Sequence, residues 1–316
     1  MSSNGSPYRI SYGKAQIPLY RVYATPLAGL TPVPESGFVG RANTVLALRV
    51  DVEVFGDNFL PAYTQGDNSS VVATDSMKNF VLAQALAYDG STLEGFLDFL
   101  GRRFLATYPQ MQALRLAATE QPFTAARVPQ RGGDFADSAV LFSPSHGDHA
   151  FASLECERDG ATGEYRLAAH TCGRRGMQLM KIAGSSFTRF VRDRHTTLPE
   201  RVDRPLFIYL DVHWTYADPS AMLAADLSRY IAAEQVRDVV QAVFDSFVSE
   251  SIQHLVNEMG HHLLSRFPPM ATVSFDAQNH TWDPVVESET DPRVKVYTDP
   301  FPAHGVIRLT LSRLGG

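Results

Sequence analysis

Alternation of apolar and polar residues from Leu46 to Val54 is the feature that most limits how this 316-residue chain can fold. Every second side chain in this segment is leucine or valine, and three of the four side chains between them are charged. Successive side chains of a strand point to opposite faces, so the pattern predicts a strand with one buried and one solvated face. Because parallel sheets are buried on both faces, this strand favours an antiparallel sheet.

Two helices are predicted after this strand. Met77, Val81 and Ala85 recur at helical spacing after Thr74, and residues 91–94 have the pattern of a capping box for a second helix. The remaining predicted elements are strands over 114–119, 139–143, 165–170, 177–182, 207–214, 273–277 and 306–312, and a helical region over 220–266 broken near 249–251. Runs of strands interleaved with helix pairs predict an α+β protein with antiparallel sheets.

The length of the chain suggests two domains, because single domains typically hold roughly 150 residues. Residues 130–149 are rich in glycine, serine, aspartate and histidine and are predicted to form a linker. We therefore expect one domain over residues 1–145 and a second over residues 146–316. The same order of predicted elements recurs in both halves, although no residue-level repeat is detectable.

Composition argues against several classes of protein. The chain has 28 Lys and Arg against 34 Asp and Glu, a net charge of −6, which does not favour binding to nucleic acid. Cys156 and Cys172 are too few for a disulfide framework, and no zinc-binding spacing of cysteine or histidine occurs. No apolar run has the length of a membrane span, and no leader-like segment opens the chain. We expect a soluble, cytoplasmic protein without a metal, a cofactor or a membrane partner.

Three motifs carry candidate chemistry. They are Tyr12-Gly13-Lys14, the segment Asp67–Asn79, and a bipartite motif of Ser185-Ser186-Phe187 followed by Asp203-Arg204. In this order and spacing they resemble the motifs of the urate oxidase family, and the resemblance can be followed from Tyr12 to Arg313. One such motif alone would be weak evidence, whereas three in order are specific.

The resemblance implies an architecture and a set of site residues. It implies two tandem T-fold domains, each an antiparallel sheet with helices on one face, whose subunits assemble into a tetrameric barrel with active sites between subunits. It also implies a cofactor-independent oxidase or oxygenase that uses O2 on a small heterocyclic substrate. By matching motifs, one subunit supplies the catalytic residues Lys14 and Thr74 with the substrate-binding residue Asp75. The substrate-binding residues of the other subunit are then Phe187, Arg204, Ile252 and Gln253.

The chemistry of these residues fits that implication. A lysine amine can accept a proton when it is desolvated and neutral, and a threonine hydroxyl bonded to it can relay the proton. The planar guanidinium group of Arg204 and the side-chain amide of Gln253 can bind the edge of an anionic ring. Phe187 can stack on the face of that ring. The alternatives without a role in catalysis or binding are that Thr74 or Gln253 caps a helix and that Lys14 is a solvated lysine at the end of a strand.

One segment departs from the family pattern. In the family, an asparagine that holds O2 and, two residues on, a histidine of the proton relay follow the last long helix. The sequence alignment puts Pro269 and Ala271 at these two positions. Proline has no donor and alanine cannot carry a proton, so normal turnover of urate is not expected. His280 lies nine residues further along the predicted strand and is a poor substitute, whereas His254 beside Gln253 is a possible one.

Three hypotheses follow from the sequence. The first is a divergent oxidase or oxygenase acting on urate or, in preference, on a urate-like heterocycle. The second is a non-oxidative T-fold enzyme that hydrates, opens or rearranges a purine- or pterin-like ring. The third is a catalytically inactive relative that retains ligand binding.

Overall fold

The computed structural model describes residues 8–145 and 147–313, and its contacts divide the chain into two compact units. Unit 1 contains residues 1–30, 39–172 and 219–229, whereas unit 2 contains residues 31–38, 173–218 and 230–316. Antiparallel strands and helices are present in both units, so the predicted α+β class is confirmed.

Unit 1 is built on an antiparallel sheet. Its strands are β1 (Ser11–Val22), β2 (Val45–Phe55), β3 (Ala113–Glu120), the hairpin β4 (Phe123–Pro129) and β5 (Phe135–Pro144), β6 (His149–Arg158) and the first part of β7 (Tyr165–Phe187). The order in the sheet is β1-β2-β3-β6-β7, with β4 and β5 paired separately. Val50, Val52 and Val54 of β2 are at most 2% exposed, which confirms the alternation read from the sequence.

The helices of unit 1 are α1 (Leu60–Thr64), α2 (Thr74–Ala87), α3 (Leu93–Thr107) and α4 (Ser220–Leu223). Of these, α2 packs on β1 and α3 packs on β3 and β6. Met77, Val81 and Ala85 are buried on α2 as the helical spacing predicted. The cap of α3 lies one residue later than the capping box indicated, because the Thr92 hydroxyl accepts the hydrogen bond from Gly95 N.

Unit 2 contains the second part of β7 and the C-terminal elements. These are β8 (Arg201–Tyr216), α5 (Ala233–Ser246), α6 (Ile252–Arg266), β9 (Met270–His280), the short pair β10 (Val286–Glu287) and β11 (Lys295–Val296), and β12 (His304–Ser312). The order in the sheet is β7-β8-β9-β12, and all observed registers in it are antiparallel. The predicted break in the long helical region is confirmed between α5 and α6.

Two predictions about organisation need correction. Strand β5 and the start of β6 occupy most of the predicted linker 130–149, since Val140 and Leu141 supply strand-forming side chains within the polar composition. The contacts place residues 39–172 in unit 1, because β6 and the start of β7 pair within it, whereas the domain boundary expected from the sequence is residue 145. Strand β7 is also continuous where two strands were predicted.

The direction of α6 fixes which parts of unit 2 can meet. A connection of three residues joins α6 to β9, and α6 packs on β9 and β12, so helix and strand run in opposite directions. Gly260 permits this approach, because a Cβ there would lie 2.3 Å from Leu311 Cδ1. The first turn of α6, roughly 20 Å from its last, therefore lies towards the C-terminal end of β9.

Candidate active site

Lys14 lies at an irregular point of β1. It pairs with Val52, and the register then shifts between Lys14 and Ile17, which marks a β-bulge. Gln16 within the bulge has a φ of 57° and donates its backbone N–H to Asp51 Oδ1 at 2.5 Å. Bulges bend a strand and re-aim its side chains, and they are common beside active sites. Lys14 therefore occupies a locally distorted position of the edge strand in unit 1.

A hydrogen bond joins the first two motifs. Tyr12 Oη accepts the backbone N–H of Val72 at 3.1 Å, and burial raises the pKa of this phenol. The contact holds the segment that leads into α2 against β1, and Thr74 is the first residue of that helix. The N-cap position belongs to Ala73, with no side-chain cap, so the plain capping alternative for Thr74 is wrong.

Asp75 brings further charge to the same place. Its carboxylate accepts hydrogen bonds from Lys78 Nζ at 2.6 Å and from Asn79 Nδ2 at 3.0 Å. The hydrogen bond and the charge of Lys78 are the main causes of the lowered pKa of Asp75. The positive charge of Lys14 also lowers this pKa, by a smaller amount. Lys14, Thr74 and Asp75 are thus neighbours in unit 1, and we call these three residues the Lys14 cluster.

An open cleft in unit 2 contains the predicted stacking and amide residues. It has a volume of about 740 Å³ and is lined by Phe187, Thr188, Arg189, Phe190, Glu250, Ser251, Gln253 and His254; we call it the Phe187 cleft. Ser251 caps α6 by accepting the His254 backbone N–H at 3.1 Å, so Gln253 is not the cap. Gln253 is exposed beside its buried neighbour Ile252, which anchors the start of the helix in the core.

Arg204 borders this cleft from β8. Its guanidinium carbon lies 5.3 Å from the centroid of the Phe187 ring. Burial lowers the pKa of this guanidinium, which nevertheless stays protonated at neutral pH. Its Nε is buried and donates no hydrogen bond to the described residues. A buried, desolvated donor of this kind is suited to an anionic partner supplied from outside the chain.

The structure does not bring Pro269 and Ala271 to this cleft. Tyr216 at the far end of β8 pairs with Met270, and Ala271 is the extra residue of a bulge between that pair and the next. Arg204 lies about twelve residues away along β8, a separation of roughly 35–40 Å at the usual strand rise. Pro269 and Ala271, which the sequence aligns with the asparagine and the histidine of the family, therefore lie far from Arg204.

The opposite end of β9 is the end that approaches Arg204. Phe207 pairs with His280, and Ile208 pairs with Asn279. Asn279 shares the helix-facing side of the sheet with Arg204, and its Oδ1 is buried without a donor among the described residues. His280 faces the other side, with its ring 4.4 Å from that of Tyr209. Asn279 is the site residue that sequence reasoning missed.

A signal for Asn279 was present in the sequence. A helix that returns directly into an antiparallel strand must place its first turn near the end of that strand. Since Gln253 begins α6, the residues that share its site belong near residue 279 rather than near residue 270. The asparagine of the family pattern therefore belongs at the C-terminal end of β9 and not at its start.

The arrangement offers two sets of complementary groups. The Lys14 cluster of unit 1 supplies an amine and a hydroxyl, and the Phe187 cleft with Arg204 and Asn279 supplies an aromatic face, a cation and amides. Among residues 8–145 and 147–313, no group of three or more His, Cys, Asp or Glu side chains is placed to hold a metal ion. No helix in the described part is long and apolar enough to cross a membrane.

Comparison with known proteins gives consistent matches over nearly the whole chain. The family model described as Uricase matches residues 49–156 and 170–308. A uricase of Haloferax volcanii is 44% identical over 305 residues, covering 96% of this chain and 98% of the relative. The uric acid degradation bifunctional protein of Bacillus subtilis is 42% identical over 96% of this chain and 61% of its own length. The crystal structure of urate oxidase from Bacillus sp. TB-90 superimposes with a TM-score of 0.93 at 39% identity, covering 96% of this chain and 100% of that chain.

Proposed function

The chain belongs to the uricase family and is a urate oxidase-like oxidoreductase, and on this premise we propose that urate itself is its substrate. The sequence favours a urate-like heterocycle because Pro269 and Ala271 align with the asparagine and the histidine of the family pattern. The register of β8 and β9 removes that reason, since it places both residues far from Arg204. The observation that carries the proposal is the buried pair of unpartnered polar atoms, Arg204 Nε and Asn279 Oδ1, on the helix-facing side of one sheet end.

Deprotonation of urate is assigned to the Lys14 cluster. The hydroxyl of Thr74 relays a proton from the ring to the amine of Lys14. The resulting dianion is electron-rich and transfers two electrons to O2, which becomes H2O2 with the proton held by the relay and a second proton from solvent. The neutral ring, now oxidised by two electrons, then adds water. Thr74 is free for this relay because it does not cap α2.

Binding of urate is assigned to the Phe187 cleft. The ring stacks on Phe187, the guanidinium of Arg204 binds an anionic edge, and the Gln253 amide offers one donor and one acceptor to the ring. Asn279 holds O2 or the water that replaces it. With Asn279 as the asparagine of the family pattern, the histidine position two residues later is occupied by Thr281. A hydroxyl therefore takes the place of that imidazole.

The complete site is proposed to form between subunits of a homotetramer built from tandem T-fold domains. The Lys14 cluster of one protomer then faces the Phe187 cleft of its partner. The separation of the two sets of residues into different compact units supports this assignment, because each unit can present its own set to another copy. The cytoplasmic location expected from the sequence remains a prediction.

Oxygen consumption by the purified protein tests the proposed function. Urate should be consumed with one O2 taken up and one H2O2 released, by protein shown by elemental and spectroscopic assay to hold no metal or flavin. Xanthine, which lacks the 8-oxo group of urate, should bind without being oxidised. Turnover of urate at the same rate without O2 would instead support a non-oxidative enzyme. Binding of urate without any turnover would support the inactive relative.

A further inference from the structure

We propose that Phe190 is a positioning residue that fixes the ring of Phe187 for stacking against the substrate. This inference rests on the proposed function, since Phe187 is assigned there as the stacking residue. The two rings are stacked, with centroids 4.9 Å apart and planes 11° from parallel. Both side chains are half-buried and line the same open cleft.

The turn between the two phenylalanines is fixed by charged side chains. Arg189 has a φ of 60°, in the left-handed region that a residue with a Cβ seldom adopts. Its backbone N–H donates to Glu200 Oε1 at 2.9 Å, and its Nη2 donates to Glu250 Oε2 at 2.9 Å. Strained backbone of this kind persists only where surrounding contacts determine it. The turn therefore folds Phe190 back onto Phe187.

Each ring of this pair has an arginine side chain near it. The guanidinium carbon of Arg192 is 5.4 Å from the Phe190 centroid, and that of Arg204 is 5.3 Å from the Phe187 centroid. An aromatic ring has two faces, and Phe190 covers one face of Phe187. We assign the other face to the heterocycle. In this arrangement Arg204 meets the edge of a ligand that lies flat on Phe187.

Positioning by Phe190 has a kinetic consequence. An unsupported phenylalanine at the end of a strand can rotate about χ1 and χ2. Ligand binding must then offset the conformational entropy that is lost when the ring is ordered. Ring pairs contribute roughly 0.5–1.5 kcal/mol, which corresponds to about a two- to twelvefold change in an equilibrium constant. Phe190 touches neither the assigned face nor the reacting atoms, so its loss should raise KM and leave kcat nearly unchanged.

The test is a double-mutant cycle of Phe187→Leu and Phe190→Leu, with Phe190→Tyr as the conservative variant. Phe190→Leu should raise the KM for urate and the Kd for xanthine about two- to twelvefold, and Phe190→Tyr should restore both. In the double variant, KM should equal that of Phe187→Leu, because Phe190 acts through Phe187. The neighbouring Val191, which is 91% exposed, provides the control Val191→Ala, for which no change is expected.

Three results would overturn the proposal. A lower KM in Phe190→Leu would show that Phe190 occupies the ligand's place and must leave it. Additive effects in the double variant would show that Phe190 acts independently of Phe187. Equal losses in Phe190→Leu and Phe190→Tyr, with a lowered unfolding temperature in both, would show a role in folding alone. If urate is not turned over at all, the xanthine arm still tests Phe190, so the two proposals fail separately.

Discussion

At the scale of single residues, Lys14 and Thr74 are the two groups on which turnover should depend most strongly. Lys14→Met removes the amine and keeps most of the side-chain volume, and we expect kcat to fall about 10²- to 10⁴-fold, the usual range for loss of a general base. Thr74→Val removes only the hydroxyl and should lower kcat with little change in unfolding temperature, since Thr74 makes no cap hydrogen bond. Steady-state oxygen uptake measures kcat for both variants, and thermal unfolding measures the unfolding temperature.

Lys295→Met serves as the matched control for the lysine substitution. Lys295 is in the short strand β11, where its contact is an ion pair with Glu287 at 3.2 Å. Its replacement should leave urate turnover unchanged. Wild-type kcat in both Lys14→Met and Thr74→Val would contradict the assignment of the proton relay.

Substitution of Asn279 distinguishes between the two candidate positions of the amide that binds O2, residue 279 and residue 269. Asn279→Leu has nearly the same size and lacks the amide, and it should lower kcat/KM roughly 10²-fold or more, as loss of a preorganised polar contact to the reacting groups does. The pair Pro269→Asn and Ala271→His should bring no gain, because both positions lie at the other end of β9. A clear gain from that pair, with an active Asn279→Leu enzyme, would restore the interpretation made from sequence.

At the scale of secondary-structure elements, the approach of β1 to β2 depends on Gly13. A Cβ at this position would lie 1.8 Å from the carbonyl oxygen of Val52, which belongs to the backbone and cannot rotate away. Gly13→Ala should therefore displace β1 with Lys14 and destabilise the protein by about 1–3 kcal/mol, the usual cost of overpacking. Urea unfolding and oxygen uptake measure the two effects. Gly132→Ala, where a Cβ meets nothing within 4 Å, is the control, and equal effects of both would contradict this account.

The sheet of unit 2 contains a histidine whose charge state links stability to pH. Arg175 Nε donates to His213 Nε2 at 2.8 Å. Burial, and secondarily the charge of Arg175, lowers the pKa of His213, although Asp211 and Asp276 oppose the shift. The unfolded chain then binds the proton more tightly than the folded chain. Stability should therefore fall as pH drops below about 6.5, by about 1.4 kcal/mol for each pKa unit of difference.

A comparison with His213→Gln isolates this contribution. The glutamine carbonyl can still accept from Arg175 but does not titrate. Urea unfolding at pH 7.5 and pH 5.5 should show a larger loss of stability in the wild type than in the variant. An equal loss in both proteins would assign the pH dependence to other groups, such as the half-buried His170, whose pKa is also lowered.

Elements were easier to predict from this sequence than their positions relative to one another. The alternation of β2 and the spacing on α2 report burial directly, because each depends on local periodicity. The extent of β7 and the division at Cys172 depend on which strands pair, and pairing across the sheet leaves no local signal. The same limit hid Asn279, since its role depends on the direction in which α6 returns to β9.

At the scale of the whole molecule, the proposed site needs two copies of the chain. In the sheet orders of the two units, β1 and β12 are each the outermost strand, with hydrogen-bonding groups along one side available to another chain. Tyr20 and Val22 on β1 are 59% and 63% exposed, so this edge presents apolar side chains that another chain could cover. Sedimentation velocity should show a tetramer, and Tyr20→Lys with Val22→Lys should shift it towards smaller, inactive species.

Complementation between two inactive variants tests whether each site is shared. Lys14→Met damages the Lys14 cluster, and Arg204→Met damages the ligand side, so each homo-oligomer should be inactive. If a site takes its Lys14 cluster from one protomer and its Phe187 cleft from another, mixed oligomers contain some sites with two intact sides. Random mixing in equal amounts gives about one quarter of such sites, since each side is intact with a probability of about one half. Refolding the variants together should restore about that fraction of wild-type oxygen uptake, whereas mixing without dissociation should not. Complete absence of recovery in proven mixed tetramers would place both sides of the site in one chain, because every chain in the mixture carries one of the two substitutions.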